Sequence, residues 1–140
     1  MSQISISEET ISNNLTPVGK WKTIDDETHL PKSIIRIEEH NGILEGFIEK
    51  TFPKPGETSE PLCDKCVGEK KDKPIIGMKI MWDLKRHDED EFSDGEILDP
   101  KNGKTYSCKI RISKDSKILT VRGFLGFSLL GRSQTWQKEE

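Results

Sequence analysis

The chain has 140 residues, enough for one domain around one closed core. Its hydrophobic share is 31%, and even with its 11 glycines counted it stays below the roughly 45–50% of soluble domains. The 22 Lys and Arg are interspersed with 25 Asp and Glu for a net charge of −3, and no basic stripe with interleaved aromatics appears, which excludes a nucleic-acid footprint.

No apolar run approaches the roughly 18 residues of a membrane helix. The opening Met1-Ser2-Gln3-Ile4-Ser5-Ile6-Ser7 lacks the basic head and apolar segment of a signal peptide. Two histories fit: a cytosolic protein, or an exported protein beginning at its mature N-terminus. Residues 1–17 are rich in Ser, Asn and Thr and read as a flexible lead-in, with residues 18–140 forming a single domain.

From Gly19 onward the pattern is one of short β segments. Gly19 to Ile24 alternates around Trp21, and Ser33 to Glu38 is rich in β-branched residues. Asn41-Gly42 is a strong hairpin signal, and Ile43 to Lys50 is the return strand. Residues 53–74 then break the rhythm with Pro53, Pro55, Pro61, Pro74, Gly56, Gly68 and the pair Cys63 and Cys66. So long an irregular connection is uncommon in a compact domain and marks a lid or covering loop.

Regular alternation returns in Ile75 to Trp82, where Ile76, Met78, Ile80 and Trp82 share a face. The run His87 to Glu91 reads as a solvated loop tip; the spacing of a calcium loop is missing from it. Glu91 to Leu98 is a weaker strand. In Thr105 to Ile112, Tyr106, Cys108, Ile110 and Ile112 take one face and a wholly polar set takes the other, the split of an antiparallel sheet with one wet side. Lys117 to Phe124 and Ser133 to Gln137 complete about eight strands. Eight antiparallel strands in chain order favour an up-and-down barrel, because closure removes exposed edges, with a β-sandwich as the alternative.

A set of short motifs runs through residues 19–137: Gly19-x-Trp21, Pro74-Ile75-Ile76-Gly77-Met78, Gly95-x-Ile97-x-Asp99-Pro100-x-x-Gly103-Lys104-x-Tyr106, Val121-Arg122-Gly123 and Gln134-Thr135-Trp136. In this order they resemble the bacterial family "domain of unknown function 2147". The resemblance implies a small lipocalin-like or streptavidin-like barrel in the periplasm or outside the cell. It donates no catalytic residues, since the family's role is unsettled. Gly19-x-Trp21 also resembles the first-strand signature of lipocalins, in which the tryptophan plugs the closed end beneath an arginine of the last strand. Arg132 is the first choice for that arginine and Arg122 the second.

Cys63-x-x-Cys66 fits a structural disulfide of an exported protein, with free thiols, a metal site and a redox pair as the other readings. A redox pair wants a helix N-terminus, and zinc wants further ligands at matching spacing. Cys108 reads as a buried small hydrophobe. His29, His40 and His87 sit beside turns or charges, and no catalytic order or phosphate loop is recognisable. The expectation is a non-enzyme without cofactor or metal.

An eight-stranded barrel is just wide enough to be filled by its own side chains or to hold one small ligand. The first reading is therefore a small exported binding protein for an apolar or amphipathic molecule. Met78, Ile80, Trp82, Tyr106, Ile110 and Phe124 would line its pocket, and Arg122 or Gln134 would orient the ligand. The other reading is an envelope or secreted interaction module with a filled barrel, acting through its surface.

Overall fold

The computed structural model describes residues 15–125 and 131–139. Eight strands follow one another in chain order: β1 (Gly19–Ile24), β2 (Pro31–His40), β3 (Ile43–Thr51), β4 (Lys79–Arg86), β5 (Glu91–Asp99), β6 (Lys104–Ile112), β7 (Ile118–Phe124) and β8 (Gly131–Lys138). Each pairs antiparallel with the next. β8 returns to β1 through Trp21 opposite Lys138 and Lys22 opposite Gln137, so the sheet closes into a barrel and not a sandwich. A single 3-10 turn, Gly68–Lys70, is the one helical element among the described residues. No helix there is long and apolar enough to cross a membrane.

Local chemistry explains the turns. Asn41 and Gly42 both take positive φ, 54° and 81°, the two-residue turn that matches strand twist, and His40 pairs with Ile43 across it. The His87–Glu91 run turns the chain between β4 and β5, with Arg86 Nη1 donating to the carbonyls of Asp88 and Glu89. Of the sequence-predicted lead-in, residues 1–14 lie outside the described residues. Leu15 packs against the core and Pro17 is fully buried.

Strand pairing corrects three readings of the alternation. In β7, Leu119 opposes Ile112, Val121 opposes Ile110 and Gly123 opposes Cys108. These three therefore face inward, while Ile118, Thr120, Arg122 and Phe124 face outward. Alternation alone puts the opposite face, with Arg122 and Phe124, inside; the register with β6 instead buries two aliphatic side chains in preference to a guanidinium.

In β4 the two-residue period fails. Lys79 opposes Phe47 while Met81 opposes Gly46, so Ile80 is an extra residue, and both Ile80 and Met81 are buried. A second extra residue, Asp83 at φ 62°, precedes the inward Leu84. Trp82 is left on the outer surface. Its Nε1 donates to Glu96 Oε1 at 3.0 Å, and the Lys70 ammonium lies 5.0 Å from its ring centre. The strand itself starts four residues later than the alternation suggests, at Lys79. Gly77, at φ 92°, and Met78 instead bond individually to Ile48.

The long connection between β3 and β4 is folded, not loose. Cys63 and Cys66 form a disulfide. Around it Cys63 N–H donates to Lys73 O at 2.8 Å, Asp72 N–H to Cys63 O at 2.8 Å, and Ile75 N–H to Pro61 O at 3.0 Å. The resulting lobe rests on the β5–β6 turn. A Cβ added to Gly103, which has φ 75°, would fall 1.9 Å from Lys65 O. No side chain fits between them.

Candidate ligand cavity

Chain direction places the turns at 41–42, 87–90 and 113–117 at one end of the barrel. The longer connections at 25–30, 52–78 and 100–103 gather at the other. The first end is closed by packing. Trp21 is fully buried and its Nε1 donates to Pro17 O at 2.8 Å. Leu44, Leu84, Ile112 and Leu119 are all at most 1% exposed around this end.

The cation over Trp21 is not an arginine. Lys138 Nζ lies 5.0 Å from the Trp21 ring centre and also reaches Val18 O at 3.4 Å. A Cβ on Gly19 would come within 2.2 Å of that ammonium, so the glycine makes its place. Arg132 sits at the other end of β8, paired with Asp26. Arg122 is on the outer face, where its Nη1 donates to Ser133 Oγ at 3.3 Å. Both candidate arginines miss Trp21 because β1 meets β8 at Lys138 and Gln137, several residues beyond Arg132.

Among the described residues the other end is open. A cavity of about 750 Å³ runs from the mouth into the barrel. Ile35, Ile48, Ile97, Val121 and Trp136 form its apolar wall. Of the sequence-predicted lining residues, Ile80, Tyr106 and Gln134 are on this wall. Met78 and Ile110 are buried in the core outside the lining, and Trp82, Arg122 and Phe124 lie outside the barrel.

Polar groups occupy the upper wall. Thr23 opposes Ser33, and Ser33 opposes Thr51, so three hydroxyls form one row across β1, β2 and β3. Thr23 and Ser33 are 4% and 8% exposed, and their hydroxyl oxygens are 2.6 Å apart. Across the barrel, Gln134 Oε1 accepts from Trp136 Nε1 at 3.2 Å. Tyr106 Oη accepts from Asn102 Nδ2 at 2.9 Å. Alternation counted from the Trp21 plug would have found Thr23, because the two are separated by one residue on the same face. Ser33 and Thr51 required the cross-strand register.

The rim carries the charges. Lys32, Glu57, Lys101 and Arg132 line the mouth and are exposed, and half-buried Asp99 stands with them at the end of β5, its Oδ1 accepting from Lys101 N–H at 2.9 Å. Asp25 joins the β1–β2 turn to the long connection. Its Oδ1 accepts from the backbone N–H groups of Thr28 and Glu27, and its Oδ2 lies 3.3 Å from Lys54 Nζ. The Thr28 and Glu27 amides hold this carboxyl far below the usual carboxylate range. Phe52, Pro53, Thr58 and Ile75 from the same connection form part of the cavity wall.

A small antiparallel barrel, plugged at one end and hollow at the other, is a lipocalin-like fold. A solved structure of protein HP1028 from Helicobacter pylori, described as belonging to the lipocalin family, shares this fold with a TM-score of 0.77. It is 16% identical, and the match covers 91% of this chain and 85% of that one. Residues 19–138 match the model of a family of uncharacterized proteins conserved in bacteria, DUF2147, and the chain belongs to that family. Among curated proteins none is significantly similar.

Proposed function

We propose that this protein is a small exported binding protein that takes an apolar or amphipathic molecule into its barrel through the open end. The cavity carries this reading. Its volume of about 750 Å³ falls within the roughly 300–1,000 Å³ of small-molecule sites, which are mostly apolar with a few placed polar groups. Ile80, Tyr106 and Gln134 are the contact residues retained from the sequence, joined by Ile35, Ile48 and Trp136. A filled-barrel interaction module calls for a solid core, so the hollow interior favours the binding protein. Export to the periplasm or beyond is supported by the Cys63–Cys66 disulfide, since such bonds persist in oxidising compartments.

Gly123 supplies the test. It faces the cavity, its φ is not positive, and an added Cβ makes only ordinary contacts with Tyr106 and Ile97 at 3.5 and 3.7 Å. Gly123→Leu therefore fills the cavity from a tolerated backbone position. The wild type is expected to bind an anilinonaphthalene dye with enhanced fluorescence, and Gly123→Leu to lose that binding with its thermal transition retained. Absence of dye binding by the wild type, or equal binding by the filled variant, would sink the proposal.

A further inference from the structure

The polarity of the cavity changes in three steps from floor to mouth. Ile35, Ile48 and Trp136 give an apolar floor, the Thr23–Ser33–Thr51 row and Gln134 form a neutral belt, and charges appear only at the rim. Asp99, half-buried at the end of β5, belongs to the rim, where its Oδ1 accepts from Lys101 N–H; among the described lining residues below that rim, the only ionisable side chain is Tyr106. A carboxylate or ammonium drawn down to the belt would lose its hydration without meeting an opposite charge, which is strongly disfavoured.

Thr51 is the second observation. Its Oγ1 is buried and has no hydrogen-bond partner among the described residues, although the side chain lines the cavity. Buried polar atoms are nearly always paired, so this hydroxyl has unmet bonding capacity, which a turn about the Thr51 Cα–Cβ bond would present to the cavity that the side chain lines. The Thr23–Ser33 bond uses one of its two hydroxyl hydrogens and leaves the other. With Thr51, the row presents two donors and several lone pairs. A carbonyl, ester or hydroxyl oxygen matches that set.

From these we infer that the barrel's ligand is an uncharged oxygenated amphiphile, such as a long-chain alcohol or ester, whose oxygen bonds to the Thr23–Ser33–Thr51 row while its chain descends to Trp136. The inference rests on the binding-protein reading. Thr51 acts as the specificity determinant, because its hydroxyl is the one that gains a first partner from the ligand.

The test displaces the anilinonaphthalene dye with four ligands of equal chain length: hexadecanol, methyl palmitate, palmitate and hexadecyltrimethylammonium. The two neutral compounds are expected to bind at least about tenfold more tightly than the two ions. Thr51→Val is expected to weaken the neutral compounds by about five- to tenfold, within the range for one lost hydrogen bond. It should leave the ions unchanged, and Thr51→Ser should restore neutral binding. If palmitate binds as tightly as hexadecanol, or Thr51→Val leaves the neutral ligands unaffected, the inference is overturned while the barrel remains a binding protein. Failure of the wild type to bind either the dye or any of the four ligands removes both.

Discussion

The closed and open ends of the barrel are built on the same eight strands, and they differ in the size of the inward side chains. On β1 the series runs from Trp21 to Thr23, on β2 from Ile37 through Ile35 to Ser33, and on β7 from Leu119 through Val121 to Gly123. Each falls in volume toward the mouth. The loss on β1 and β2 is also a gain in polarity. The cavity thus follows from a taper in side-chain volume, with no change in strand number. Close packing at one end supplies stability, and the taper at the other leaves room for a guest.

The sharpest way to break this contrast is to remove the plug. Trp21→Ala is expected to cost about 3–5 kcal/mol in urea denaturation, the range for large-to-small changes in a packed core. A smaller loss would mean that the closed end does not carry the stability. Next comes the lobe over the open end. Reduction of Cys63–Cys66 opens a short loop, worth about 2 kcal/mol by chain entropy. Hydrogen exchange should then show lost protection at 61–75 while the amides around Trp21 stay protected.

Cys108 provides a comparable effect with a pH signature. Burial pushes its thiol up to about 12, while an unfolded cysteine titrates near 8.5. The folded state holds this proton more tightly. The thiol's contribution is therefore full below about pH 8.5 and is lost as pH rises toward the folded value. At pH 10 the wild type should lose about 2 kcal/mol relative to Cys108→Ala, compared with their difference at pH 7. Parallel pH profiles for the two proteins would contradict this.

The smallest effect separates two cations on β8. Lys138→Ala removes a cation over a buried indole and should cost about 0.5–2 kcal/mol. Arg132→Ala breaks, among the described residues, an exposed pair with Asp26 and should cost about 0–1 kcal/mol. The reverse order in thermal unfolding would restore Arg132 as the structural partner of the plug.

Much of this was legible in the chain. Asn41-Gly42, the two-faced β6 and the count of strands are local signals, and each survived folding because local preference and tertiary pairing agreed. The inward Tyr106 and Gln134 were found in the same way. β7 shows where such reading stops. Both of its faces carry apolar groups, Leu119 and Val121 on one and Ile118 and Phe124 on the other, so alternation alone cannot choose between them. Pairing with β6 chooses. In β4 two extra residues reset the period, and no local signal announces Ile80 as one of them.

The sequence by itself determined an all-β chain, a barrel order of strands and a tryptophan at its head, because these depend on turn chemistry and short-range alternation. Tertiary structure decided which residues the barrel encloses. Cross-strand register brought Thr23, Ser33 and Thr51 into one row, set Lys138 over Trp21, and turned Trp82, Arg122 and Phe124 outward. A one-residue shift in strand pairing exchanges the two faces of a strand, and that shift is settled only when neighbouring strands meet.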